Sequence, residues 1–78
     1  MKLPRGVSGD SLVRALERLG YSVIRQKGSH ARMRHEGPPV HPITVPLHNP
    51  LKTGTLHGIL SEVAQMRSMT IEALAKLL

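Results

Sequence analysis

The segment QKGSHARMR, residues 26 to 34, sets one histidine between a lysine and two arginines. In an extended strand successive side chains alternate sides. His30, Arg32 and Arg34 therefore share one face, and Ser29, Ala31 and Met33 the other, the small and apolar set directed to a core. Gly28 precedes them as the residue free to take a positive φ in a tight hairpin turn. An imidazole with an ordinary pKa of about 6.5 accepts and returns a proton near neutrality. RNA supplies its own nucleophile: a base that activates the 2′-OH toward the adjacent phosphorus cleaves the chain without metal or cofactor, and DNA cannot react this way. Lys27, Arg32 and Arg34 are candidates to offset charge growing on the phosphoryl oxygens. On pattern alone, a surface histidine at a strand start is the commoner reading of His30, and a solvated strand face reads the arginines equally well.

Two other places carry chemistry-bearing groups. His48 follows a run in which Ile43, Val45 and Leu47 alternate with Thr44 and Pro46, so it projects to the Thr44 side, toward His30. It reads equally as a loop histidine bound to backbone. At KTGT, residues 52 to 55, a helix opens with Lys52 and Thr53, and free N–H groups at a helix start attract phosphates. Simple capping by Thr53 is the alternative. His35, His41 and His57 have no metal-ligand spacing and read as surface or loop residues. No metal and no cofactor are expected.

The chain has 78 residues, 11 Lys and Arg against 5 Asp and Glu, and a formal charge of +6. One domain over 1–78 is expected, because a globule this small has no room for a second core. The charge suits a polyanion, either RNA or an acidic protein, and would equally keep a small domain soluble. Zero cysteines exclude a disulfide framework and a thiolate nucleophile. Tyr21 is the one aromatic residue among Phe, Trp and Tyr, so a base-stacking reader has no platform, and RNA would be held by shape and phosphate contacts. No apolar run suits a membrane span or a cleaved leader. A cytoplasmic protein, monomeric when free, is expected.

The elements that must position these groups are legible from period. Ser8 caps a helix with Leu12, Ala15, Leu16 and Leu19 at i, i+3, i+4, i+7, closed by Gly20. A strand over 21–26, a turn at Gly28, a second strand, the proline-rich loop EGPPVHP and a third strand from Ile43 follow. Pro46 marks that third strand as an edge or as lacking a ladder bond. Leu56, Ile59, Leu60 and Val63 then repeat at helical spacing, and Thr70 caps a short terminal helix that packs as a lid. The expected class is α+β, α-β-β-β-α with a three-stranded antiparallel sheet and a short C-terminal helix.

Four stretches together, SG before the first helix, LERLGYSVIRQKGSH, ITVPLH and KTGTLHGIL, resemble in order and spacing the HicA toxin family of small mRNA interferases. The resemblance covers nearly the whole chain. It implies a double-stranded-RNA-binding-like fold, a catalytic histidine at the GSH motif, here His30, with Gly28 and Ser29 shaping the turn and Lys27 beside the substrate phosphates. It also implies mRNA as substrate and a HicB-type antitoxin as partner. Ala31 stands where family members often carry a second polar residue, and EVAQMRSMT replaces a glycine turn. The alternatives are a non-catalytic RNA-binding module of the same fold and a basic protein-interaction domain.

Overall fold

The computed structural model describes residues 3–78. Helix α1 (Gly9–Arg18) is followed by strands β1 (Tyr21–Lys27), β2 (His30–His35) and β3 (His41–Pro46), then helices α2 (Thr53–Arg67) and α3 (Ile71–Ala75). The strands form one antiparallel sheet in the order β1-β2-β3. This is the α-β-β-β-α arrangement with a short last helix that the periodicities predict.

Each helix begins where its sequence supplies an acceptor or ends where it runs out of apolar spacing. The Ser8 side chain accepts from the Ser11 backbone N–H and starts α1, and Thr70 does the same for α3 through Ala73. α1 buries Leu12, Ala15 and Leu16; α2 buries Leu56, Ile59, Leu60, Val63 and Ala64. Met33, Ile43 and Val45 join the larger of these side chains in a single core cluster, and Leu74 brings α3 onto it. The helices thus cover one face of the sheet, and the other face stays open.

Three expectations need correction. Ser29 lies in the exposed turn between β1 and β2, not on the inward side of a strand, because Lys27 already pairs with His30 across the hairpin. β3 starts at His41 and ends at Pro46, so Leu47 and His48 lie beyond it; the Leu47 N–H donates to the Ser29 carbonyl at 2.6 Å. His41 is 5% exposed and His35 is half-buried, not surface or loop residues. Stepping back by two from Ile43 puts His41 on the core side, where both its ring nitrogens find partners.

Candidate active site

The outer face of the sheet is built in cross-strand rows. His30 pairs with Lys27 on β1 and with Pro46 on β3; Arg32 pairs with Arg25 and with Thr44. Paired residues point to the same side, so Lys27, Arg25, His30, Arg32 and Thr44 converge on the open face. Strict alternation from buried Tyr21 would send Arg25 and Lys27 inward. A β-bulge between Val23 and Arg25 adds one residue to β1 and turns both outward. These five residues line a shallow depression of about 220 Å³.

All five are exposed, and the lining holds three cations and no carboxylate. Arg32 Nη1 donates to Thr44 Oγ1 at 2.9 Å, which holds the guanidinium across the β2–β3 pair. Gly28 has φ +57°, a conformation that costs a side-chain-bearing residue, and it closes the turn that seats His30 at the start of β2. Exposed His48 brings its ring centroid to 6.4 Å from that of His30, at an interplanar angle of 66°. Its backbone is held by α1: the Gly9 N–H donates to the His48 carbonyl at 2.9 Å. A Cβ on Gly9 would meet the carbonyl of Pro46 and lie 2.7 Å from Leu47 Cα. The Ser8-Gly9 pair therefore does two jobs, starting α1 and letting it sit against the segment that carries His48.

The other expected contacts lie elsewhere. Arg34 is paired with Glu36, Nε to Oε1 3.0 Å, and does not line the depression. Lys52 is the N-cap of α2 but makes no capping side-chain bond, and Thr53 lies inside the helix, where it lines a separate cavity with Arg5, Leu51 and His57. Ser29 sits in the turn without lining the depression. Among the described residues no group of three or more His, Asp or Glu is placed to hold a metal ion.

A family model described as the HicA toxin of bacterial toxin-antitoxin matches residues 9–65, a span that contains α1, the whole sheet and most of α2. The chain belongs to the HicA toxin family. Searches of curated proteins and of solved structures returned no match. As a HicA family member the protein is the toxin of a toxin-antitoxin pair and has an antitoxin partner. No helix among the described residues is long and apolar enough to cross a membrane.

Behind the open face, this HicA toxin carries a polar layer that spacing does not reveal. The Tyr21 hydroxyl is 2.6 Å from His41 Nδ1, and His41 Nε2 is 2.6 Å from Glu62 Oε2 on α2. A carboxylate only accepts, so Nε2 carries a proton; in the neutral ring Nδ1 then accepts from the Tyr21 O–H. Burial raises the Tyr21 hydroxyl above its ordinary pKa, with the Arg67 charge opposing and the Glu62 charge adding. Beside it, His35 Nδ1 accepts from the Gly37 N–H at 2.8 Å and from Arg67 Nη1 at 2.5 Å, so its Nε2–H donates to the Leu19 carbonyl at 3.0 Å. Arg67 also donates to the Pro39 carbonyl and lies 5.9 Å from the Tyr21 ring centroid. This layer ties the C-terminal half of α2 to the sheet.

Proposed function

We propose that this toxin is a metal-independent mRNA interferase, an endoribonuclease in which His30 is the catalytic acid or base. The observation that carries the reading is the convergence of an exposed histidine with Arg25, Lys27 and Arg32 in one depression free of carboxylates. Cations set this way hold a phosphodiester and favour the charge that builds on its non-bridging oxygens. Membership of a toxin family supports the reading, because cutting message is a direct way to stop growth.

His48 supplies the complementary group. Ring centroids 6.4 Å apart let both imidazoles address one phosphate from the same side of the sheet. One imidazole takes the 2′-OH proton as O2′ bonds to phosphorus; the other gives its proton to O5′ as the P–O5′ bond breaks. The products are a 2′,3′-cyclic phosphate and a 5′-hydroxyl end, and the protons balance without water or cofactor. Lys27 and Arg32 hold the phosphate through this exchange, and Arg25 adds a third positive charge. The antitoxin, of HicB type in this reading, covers the same face, so that RNA and antitoxin compete in the cytoplasm.

Purified His30→Ala decides the matter. The expected result is loss of RNA cleavage, by about 10²- to 10⁴-fold, with RNA binding retained in a gel shift. A wild-type protein that binds RNA and never cuts it establishes a non-catalytic binding module instead. A protein with no salt-dependent affinity for RNA establishes a protein-interaction domain.

A further inference from the structure

The His30 depression does not end at Arg32 and Thr44. Both residues also line a second, larger groove of about 470 Å³ between the outer side of β3 and the flank of α2, with Pro42, Ile43, Gly58, Ile59 and Glu62 among its walls. A strand held at the depression by its phosphates therefore continues over shared side chains into this groove. Its electrostatics differ: Glu62 places a carboxylate where the depression has only cations.

That carboxylate is held in place from behind. Its Oε2 is tied to His41, which is 5% exposed, and His41 to Tyr21, which is 2% exposed, while the Glu62 side chain itself is 56% exposed. Packing alone gives no reason for the arrangement. A hydrogen bond from a buried imidazole to a carboxylate contributes about 1.5–3 kcal/mol, and burying two polar side chains carries a desolvation cost that offsets it and that apolar residues avoid. What three linked side chains do achieve is a carboxylate of fixed orientation, its Oε2 occupied by His41 and its side chain lining the groove.

The groove's chemistry then selects its ligand. A carboxylate accepts hydrogen bonds and repels phosphate, so the part of a nucleotide that suits it is a base edge with a donor. Single-stranded RNA is read through such splayed-out edges. An exocyclic amine, as on cytosine, adenine or guanine, offers a donor to the carboxylate; the imino N–H of uracil is flanked by two carbonyls that a carboxylate repels. A Cβ on Gly58 would enter open space, so the wall of α2 leaves room for a flat ring to approach.

We propose that Glu62 is a specificity residue: it reads a base flanking the cut by accepting from an exocyclic amine, and so disfavours uridine there. The proposal rests on the RNA-cleavage reading. The test compares kcat/KM of wild type and Glu62→Gln on short RNAs that vary one base at a time on either side of the cut, with melts of both proteins. Gln can still accept from His41 while turning its amide N–H₂ to the groove, so its preference swings toward the carbonyl-bearing uridine. Wild type should favour a base with an exocyclic amine over uridine at one flanking position by about tenfold, the scale of one charge-assisted hydrogen bond. Glu62→Gln should abolish or invert that ratio while still cutting. Gly58→Leu, filling the groove from a helix position open to solvent, should raise KM for the same RNAs and leave kcat unchanged.

Equal preference in wild type and Glu62→Gln, with both cutting, overturns this assignment and leaves the role of His30 intact. Weaker antitoxin binding by Glu62→Gln with base preference unchanged also overturns it, and makes the groove a protein interface. A wild type that cuts no RNA removes the reading on which the proposal stands.

Discussion

Arg25 stands directly opposite Arg32 across the β1–β2 ladder, both exposed on the open face of the sheet. Like charges in that relation are destabilising, with cross-strand pairs spanning about 0.2–1 kcal/mol, and among the described residues neither guanidinium is paired with a carboxylate. The fold carries this repulsion, and a phosphate between the two would relieve it. Arg25→Thr should therefore move stability and binding in opposite directions. The expected outcome is a fold as stable or up to about 1 kcal/mol more stable in urea melts, with weaker RNA affinity and a log–log salt slope reduced by about one. A variant that keeps its full salt slope would place Arg25 outside the RNA contact.

Gly9 and Gly58 give a paired prediction, because one sits against backbone and the other faces open space. A Cβ at Gly9 meets main-chain atoms of Pro46 and Leu47, which cannot rotate away. Gly9→Ala should cost about 1–3 kcal/mol, the range of overpacking, and should slow RNA cleavage by displacing the segment that holds His48 near His30. Gly58→Ala, in the interior of α2, should instead stabilise by about 0.5–1 kcal/mol through helix propensity. Denaturant midpoints of the two variants should move in opposite directions; a Gly9→Ala midpoint at the wild-type value would contradict the close approach of α1 to residues 46–48.

Local pattern reached as far as local physics determines structure. Apolar spacing, with Ser8 and Thr70 as caps, suffices for α1, α2 and α3, because helix periodicity and capping are short-range. Alternation in β2 put His30 and Arg32 outward and Ala31 and Met33 inward for the same reason. Strict alternation alone would misplace Arg25 and Lys27 in β1, where the bulge adds a residue and reverses their facing. A bulge is set by pairing with a partner strand and leaves no mark in β1's own period. The Tyr21–His41–Glu62 chain joins residues 20 and 21 positions apart. No spacing rule reaches that distance, so His41 read as a surface or loop histidine and nothing singled out Glu62.

Removing the Tyr21 hydroxyl tests that chain. Tyr21→Phe keeps the ring but leaves His41 Nδ1 without its donor in a buried site, which should cost about 1–3 kcal/mol, or several degrees in Tm for a domain of this size. The pH dependence has a definite sign. The folded-state pKa of Tyr21 lies above its ordinary 10.0. The neutral hydroxyl is thus favoured by folding, and its contribution is complete below about pH 10 and is lost as pH rises through the folded value. Wild type should lose stability on that alkaline limb, and Tyr21→Phe should lose less. Tyr21 is the one tyrosine in a chain without tryptophan, so tyrosinate absorbance reports this group alone.

The end of α2 offers a stabilising change away from the depression. Ser68 caps the helix with φ +54°, ψ +46°, the left-handed conformation, and the Met69 N–H donates back to the Ala64 carbonyl at 2.9 Å. Glycine is the usual residue at such a helix end. A side-chain-bearing residue there costs about 1–2 kcal/mol, and glycine returns part of that through its greater unfolded-state entropy. Ser68→Gly should therefore gain about 0.5–1 kcal/mol net and raise Tm by a few degrees. Ser68→Val, β-branched in the same conformation, should lower it. RNA cleavage should be the same in both variants once they are compared well below their melting temperatures, because Ser68 lines neither the His30 depression nor the Glu62 groove. A Ser68→Gly melt at or below wild type would show that the serine makes a compensating interaction at this turn.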